Sequence, residues 1–115
     1  MSDPTLPPMK FETRVEDLGR MIAVRVRGDV DIATAPDLQR SIETEAGDGR
    51  TIVVDLAEVS FMDLRGLHVL IDAARLSSDG GPGFWILSPS IPVRRLLDLT
   101  GLASQLPVLR AEPHE

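Results

Sequence analysis

Cysteine is absent from this chain of 115 residues. Without a thiol, the chain cannot build disulfide bonds, zinc–thiolate sites, iron–sulfur clusters or a cysteine nucleophile. A protein without cysteine suits a reducing compartment, and we therefore expect a cytoplasmic location. The length fits one domain of ordinary size, which is large enough to bury a hydrophobic core.

Lysine and aromatic residues are scarce. Lys10 is the only lysine, and 18 acidic residues against 12 basic ones give a formal net charge of −6. Binding to nucleic acid needs clustered cations that replace counterions, and base stacking needs several aromatic rings. Three phenylalanines and one tryptophan do not form such a platform. The composition therefore argues against a nucleic-acid-binding protein.

Long apolar runs are also missing. No stretch approaches the roughly 20 apolar residues of a membrane span. Residues 1–8 lack the basic-then-apolar order of a signal peptide, so we expect no membrane contact. Residues 1–8 and 111–115 contain proline and polar residues, which is typical of flexible ends. The expected folded domain therefore covers residues 9–110.

Hydrophobic periodicity predicts the order β-β-α-β-α-β-α-β between these ends. Period-two alternation predicts a hairpin from Met9–Glu16 and Met21–Gly28. Nearly continuous apolar runs predict buried strands at Thr51–Leu56 and Phe84–Leu87, and Leu106–Leu109 is a candidate for a last short strand. Strands that alternate with helices imply an α/β fold with a largely parallel sheet, which the opening hairpin makes mixed.

Polar residues mark where the three predicted helices begin. Thr34, with Asp37 three positions later, predicts a capping box at the first helix. Asp63 is the expected N-cap of the second helix and Ser90 that of the third, which Gly101 should end.

Asp29, Asp31 and Asp63 follow the ends of two strands that we expect to be parallel neighbours, so their carboxylates should lie on one edge of the sheet. One interpretation is a magnesium or phosphotransfer site of the kind found in receiver domains. The other is capping of helix N-termini by carboxylates. We favour capping, because a receiver-type site also needs a lysine at a late strand end, whereas Lys10 lies on the first strand.

Other catalytic signatures are weak. His68 has no serine and aspartate at the spacing of a nucleophilic triad. The glycines at positions 80, 81 and 83 precede a strand, whereas phosphate binding requires a loop that leads from a strand into a helix. We therefore expect no catalytic residue, no metal site and no cofactor.

The segment after the central strand carries the strongest family signal. Together with motifs elsewhere, it resembles the STAS domain (sulfate transporter and anti-sigma factor antagonist), in particular the free-standing bacterial anti-sigma factor antagonists. The matching segments, in order, are Gly28–Asp31, Ala35–Leu38, Val53–Leu56, Val59–Asp63, Gly66–Leu67 and Thr100–Leu102. Each motif alone is loose, but their order and spacing cover nearly the whole chain.

The resemblance implies a mixed sheet with helices on one face and a role in protein binding rather than catalysis. Proteins of this type bind an anti-sigma factor, which is usually also a serine kinase of the histidine-kinase-like ATPase type, and so release a sigma factor. Phosphorylation of a serine or threonine just before the glycine of the helix-opening motif breaks the binding. We expect the partner-binding surface to comprise Asp29, Asp31, Asp63, Leu64, Arg65 and Gly66.

This chain departs from the family pattern at the phosphorylation site. Residues 63–67 read Asp-Leu-Arg-Gly-Leu, so Arg65 occupies the position of the acceptor hydroxyl. Arginine neither accepts the phosphoryl group nor mimics phosphoserine, and a cation is disfavoured in the first turn of a helix. Either the switch has been lost, or Arg65 pairs with an acidic patch or an anion on an altered partner. Gly66 is expected to let a partner backbone approach closely.

Two other functions stay open at the level of sequence. The same fold could serve as a partner subunit of another complex, such as a lipid-transport ABC system or a stressosome-like scaffold. Alternatively, the acidic edge could make a phosphotransfer or small-ligand-binding domain. The exposed first strand could also pair with a second copy of the chain to form a homodimer.

Overall fold

The computed structural model describes residues 10–46, 49–78 and 83–109, with the side chain of Ser78 excepted. The predicted flexible ends, residues 1–8 and 111–115, lie outside the described residues, as does Met9. Within the described ranges the predicted order of elements is confirmed. The strands are β1 (Glu12–Asp17), β2 (Met21–Val30), β3 (Thr51–Met62), β4 (Phe84–Leu87) and β5 (Val108–Leu109). The helices are α1 (Ala35–Ala46), α2 (Leu64–Ser78) and α3 (Ile91–Thr100), and a 3₁₀ turn covers Ala103–Gln105.

In the described part of the chain the strands form one sheet in the order β1-β2-β3-β4-β5. β1 and β2 are antiparallel, and the other neighbours are parallel. The mixed α/β sheet predicted from the alternation is therefore confirmed. β3 is twice as long as predicted, because Glu58–Met62 continues to pair with the end of β2 through two register shifts.

The hydrophobic core lies between the sheet and the helices. Alternate side chains of β2, β3 and β4 form one cluster with side chains of all three helices. Burial of each large apolar side chain stabilises the fold by about 1.5–3 kcal/mol. The residues of this cluster include Ile22, Val24, Val26, Ile52, Val54, Leu56, Phe84, Ile86, Leu38, Ile42, Leu67, Leu70, Val93 and Leu97.

The opposite face of the sheet is more polar. It carries Arg25 on β2, Asp55 on β3 and Trp85 on β4, the last with 39% of its surface exposed. The predicted burial of the strand at Phe84–Leu87 therefore holds for one face only. Its apolar composition is explained by Phe84 and Ile86, which enter the core, and not by a second covering layer.

The third helix begins and ends where the sequence predicts. Ser90 occupies the N-cap position, but its hydroxyl makes no capping hydrogen bond. Gly101 ends the helix in the left-handed conformation, with φ of 70°, and its N–H donates to the carbonyl of Leu97 at 3.0 Å.

Candidate functional site

The carboxyl ends of β2 and β3 lie side by side and lead into α1 and α2. Val30 is paired with Met62, and the N–H of Asp63 donates to the carbonyl of Val30 at 3.1 Å. The segments that begin the two helices therefore meet at one edge of the sheet. We call residues 29–34 together with residues 60–66 the rim.

Asp63 caps α2, as the sequence predicts. Its Oδ1 accepts hydrogen bonds from the main-chain N–H groups of Arg65 at 2.9 Å and Gly66 at 3.3 Å. Its carbonyl accepts the N–H of Leu67, which closes the first turn of the helix. The carboxylate thus partners two of the free N–H groups at the helix start and lies at the positive end of the helix dipole. This arrangement fixes the direction in which the first turn of α2 leaves the sheet.

Asp31, not Thr34, provides the side-chain cap at the start of α1. Its Oδ1 accepts the N–H groups of Ala33 at 3.0 Å and Thr34 at 3.2 Å. The Thr34 hydroxyl instead accepts the N–H of Asp31 at 2.9 Å and donates to the carbonyl of Asp29 at 2.8 Å. The prediction of a Thr34 cap is therefore wrong. A turn through residues 31–34 directs that hydroxyl back to the end of β2.

The capping box predicted for α1 does not form either. Asp37 makes an ion pair with Arg40, one turn along the helix, with 3.2 Å between Oδ1 and Nη1. A capping box would require the side chain of Asp37 to accept the N–H of Thr34. That N–H donates to Asp31 instead. Here the cap lies three residues earlier in the chain than the pattern places it.

Asp29 has a different role from the two capping carboxylates. It lies on the last part of β2, and its Oδ1 accepts a hydrogen bond of 2.7 Å from the hydroxyl of Ser60. The pairing between β2 and β3 is shifted here, where Gly28 is paired with Val59 but Asp29 with Phe61. Ser60 is therefore the extra residue of β3, and this bulge brings its hydroxyl to the carboxylate.

The three rim aspartates are thus each bonded locally. Asp31 and Asp63 partner main-chain N–H groups, and Asp29 partners Ser60. Across the ranges that the structure describes, no three acidic or histidine side chains are grouped so as to hold a metal ion. The geometry therefore favours the capping interpretation of the acidic cluster over the magnesium site.

Arg65 projects from the first turn of α2. It is exposed, and no carboxylate within the described ranges forms an ion pair with its guanidinium. Leu64 beside it is 50% exposed. The first turn of α2 therefore presents a cation and an apolar side chain to solvent.

Two further apolar residues of the rim were missed by the sequence interpretation. Ile32 is 63% exposed and Phe61 is 49% exposed. Ile32 lies in the turn before α1, between Asp31 and Ala33, which are joined by a hydrogen bond. Its position in this turn is the sequence signal that would predict an exposed side chain. Phe61 lies on β3 one residue before the buried Met62, so period-two alternation places it on the outer face. Large apolar side chains that are exposed in one region of the surface are typical of protein-binding surfaces.

Gly66 is buried, and its lack of a side chain serves the packing of α2 on β2. A Cβ atom at this position would lie 2.6 Å from Cγ1 of Val30 and 3.0 Å from Cγ of Met62. The close approach is therefore between this helix and the sheet beneath it. That packing accounts for glycine at this position, which the sequence interpretation had assigned to the approach of a partner backbone.

None of the helices in the described ranges combines the length and the apolar character needed to cross a bilayer.

Comparison with known proteins finds a matching family and relatives that carry a functional name. A model of the STAS domain matches residues 12–114. A protein of Staphylococcus aureus (strain NCTC 8325 / PS 47) named anti-sigma-B factor antagonist is 32% identical over 95 residues, which cover 82% of this chain and 86% of that protein.

Solved structures share the fold. The crystal structure of an anti-sigma factor antagonist from Mycobacterium paratuberculosis has a TM-score of 0.77 and 29% identity, covering 96% of this chain and 92% of the other. The Bacillus cell fate determinant SpoIIAA in its phosphorylated form has a TM-score of 0.62 and 23% identity, covering 86% of this chain and 92% of the other.

Proposed function

The chain belongs to the STAS domain family, and we propose that it acts as an anti-sigma factor antagonist. In this role it binds an anti-sigma factor in the cytoplasm and so frees a sigma factor for transcription. The names of the Staphylococcus and Mycobacterium relatives support this role, as does similarity over most of each chain. The function is one of protein recognition, and the chain itself carries out no chemical step.

The rim is the proposed contact surface. Its exposed apolar side chains, Ile32, Phe61 and Leu64, would lose water on binding, and the two aspartate caps hold the turns that carry Ile32 and Leu64. Preorganised turns reduce the entropy that ordering would cost on association. A surface that combines a few apolar anchors with a charged group is typical of protein interfaces.

Arg65 is the observation that carries the proposal furthest. It stands where relatives of this type have a phosphate acceptor, it is exposed, and it has no ion-pair partner within the described ranges. We therefore infer that the partner is an anti-sigma factor of the kinase type that cannot switch this protein off by phosphorylation at position 65. An acidic patch on the partner would pair with the guanidinium and contribute a salt-dependent part of the affinity.

The alternatives use the same surface in different ways. A subunit of a lipid-transport ABC system or a stressosome-like scaffold would also bind a protein through the rim, and only the identity of the partner separates these roles. A phosphotransfer or small-ligand-binding domain would use the carboxylates themselves. The local bonding of Asp29, Asp31 and Asp63 argues against that use.

Calorimetric titration with a purified anti-sigma factor tests the proposal. The wild-type protein should bind with measurable heat, and Arg65→Ala should bind more weakly than the wild type. This loss of affinity should be larger at low salt than at high salt, because salt screens the proposed ion pair. Arg20→Ala is the matched control, because Arg20 is exposed in the turn between β1 and β2, at the other end of β2 from the rim. No binding by the wild type would contradict the function, and equal affinities of all three proteins would place the contact elsewhere. Titration with magnesium and nucleotide, followed by amide NMR, should leave the rim signals unmoved.

A further inference from the structure

Among the residues that the structure describes, β1 forms one edge of the sheet, and half of its main-chain groups face outward. The N–H of Leu18 donates to the carbonyl of Met21 at 2.9 Å, and the register then pairs Glu16 with Ala23 and Arg14 with Arg25. In an antiparallel pair, hydrogen-bonded positions alternate, so residues 12, 14, 16 and 18 bond to β2. The N–H and C=O groups of residues 13, 15 and 17 therefore point away from the sheet. Such an edge is a template for another strand.

The side chains of β1 limit which strand can pair there. Glu12, Arg14 and Glu16 alternate in sign on the face that Arg25 occupies, and Val15 is 45% exposed on the core face. When two copies of β1 pair antiparallel, the register decides which charges meet. A two-fold axis at Arg14 would oppose the two arginines and would place Glu12 opposite Glu16. A two-fold axis at Glu16 would oppose the two glutamates. Like charges directly opposite one another destabilise a sheet.

A two-fold axis at Val15 removes these conflicts over the length of the strand. It places Arg14 opposite Glu16 of the second copy twice, Thr13 opposite Asp17 twice, and the two Val15 side chains against each other. It also pairs outward-facing main-chain groups with one another, since residues 13, 15 and 17 meet residues 17, 15 and 13. The other register with opposite charges, centred on Thr13, pairs only Glu12, Thr13 and Arg14 within the strand.

In the single chain, Arg14 faces another arginine on the neighbouring strand. It lies directly across from Arg25, and no carboxylate in the described ranges forms an ion pair with it. Arg25 is already held by Glu16 at 2.6 Å and Asp55 at 2.8 Å. The hydrogen bonds that Arg25 donates to Glu16 are also the largest cause of the raised pKa of Arg25. A second copy would bring its own Glu16 beside Arg14, on the side away from Arg25, and would so give Arg14 a counter-charge.

We propose that two copies of this chain pair through β1, antiparallel and centred on Val15, to form one continuous sheet. The occupant of the edge is thus a second copy, and the alternation of charge on Glu12, Arg14 and Glu16 selects it and its register. The rim lies at the carboxyl end of β2, whereas the centre of the dimer lies beside Val24 and Arg25. The dimer would therefore leave two rims open, one on each copy.

Charge reversal tests both the dimer and its register. Sedimentation equilibrium of the wild type at high concentration should give twice the 12.5 kDa of one chain. Arg14→Glu opposes two glutamates and Glu16→Arg opposes two arginines, so each variant alone should be monomeric. A one-to-one mixture restores both opposite-charge pairs and should form a heterodimer. Misfolded variants could not rescue each other in this way, so the mixture also controls for folding.

The masses measured for the wild type, the single variants and their mixture each test one part of the proposal. A wild type that stays monomeric up to about millimolar concentration would overturn the proposal. Single variants that remain dimeric would place the interface on another surface, and a mixture that stays monomeric would exclude this register.

Disulfide trapping gives a second readout, because the chain has no cysteine. Two Val15→Cys side chains would face each other at a hydrogen-bonded position, where Cα atoms are about 5.5 Å apart, within the range that a disulfide spans. Thr13→Cys is the matched control, because the two copies of residue 13 would be separated by about 13 Å along the strands. Oxidation should cross-link most of the first variant and little of the second. Equal cross-linking of both variants would contradict the register.

Discussion

The carboxylate of Asp63 holds the main-chain N–H of Arg65 at 2.9 Å, in the first turn of α2. The main chain of Arg65 is therefore positioned by a cap that lies two residues before it. In the proposed function, the turn that Asp63 caps is also the turn that contacts the partner.

Replacement of Asp63 by alanine should separate stability from binding. Loss of an N-cap costs on the order of 1 kcal/mol of unfolding free energy, which the apolar core should tolerate. Binding to the anti-sigma factor should weaken by more than this loss explains, because the first turn of α2 is the proposed contact. Urea denaturation and calorimetry measure the two effects, and Asp63→Asn, which keeps a capping oxygen, is the control. An unchanged dissociation constant in folded Asp63→Ala would place the interface outside this turn.

Gly66→Ala tests the packing of α2 on β2. An added Cβ would lie 2.6 Å from Cγ1 of Val30, and overpacking of this kind costs about 1–3 kcal/mol. The gain in helix propensity from alanine, up to about 1 kcal/mol, opposes this cost. In a Val30→Ala background the same substitution should be less costly, and the double-mutant cycle measured by urea denaturation gives the difference. A cost that is the same in both backgrounds would show that the Val30 contact does not limit this position.

Arg65→Ser tests the proposal that position 65 corresponds to the family's phosphate acceptor. Removal of a cation from the first helical turn should leave the unfolding free energy unchanged or raise it by a few tenths to about 1 kcal/mol. With a kinase-type anti-sigma factor and ATP, mass spectrometry should find phosphate on position 65 of the variant. The phosphate adds a charge of roughly −1.5 to −2 beside Asp63, so binding should be lost.

The wild type is the control for this experiment. Because Arg65 cannot accept a phosphoryl group, no phosphate should appear in the rim of the wild type. Phosphate on Ser60, which is exposed and bonded to Asp29, would instead show that the switch has moved along β3.

The turn between β1 and β2 should make the free energy of unfolding weakly dependent on pH in the acidic range. The hydrogen bond from the N–H of Gly19 lowers the pKa of Asp17 from its ordinary value, with the hydrogen bond from Arg50 as a second cause. A carboxyl whose pKa is lowered by folding stabilises the protein above its unfolded pKa, and this contribution is lost as the pH falls through the folded pKa. Asp17→Ala should therefore be less stable than wild type at pH 7, and the difference should shrink below about pH 4. A difference in unfolding free energy that is constant from pH 7 to pH 3 would exclude this interaction.

The sequence predicts the sheet well because hydrophobic alternation reports directly on burial. Ile22, Val24 and Val26 face the core as the alternation predicts. The cap of α2 by Asp63 could be predicted as well, because the spacing of Asp63 to the apolar residues of the helix is unambiguous. The start of α1 is harder to predict, because Asp31 and Thr34 are both good caps and only the path of the turn decides between them. Gly66 illustrates the opposite limit. Its role depends on the distance between α2 and Val30, which no local pattern encodes.

The most direct test of the proposed function is release of a sigma factor in the presence of ATP. A complex of the sigma factor with its anti-sigma factor is mixed with this protein and ATP and is followed over time by gel filtration. The sigma factor should be released and stay free, because Arg65 gives the kinase no hydroxyl to modify. With the Arg65→Ser variant, the sigma factor should be recaptured as phosphate accumulates. A sigma factor that remains bound in the presence of excess wild-type protein would contradict the proposed function, and recapture with the wild type would contradict the role assigned to Arg65.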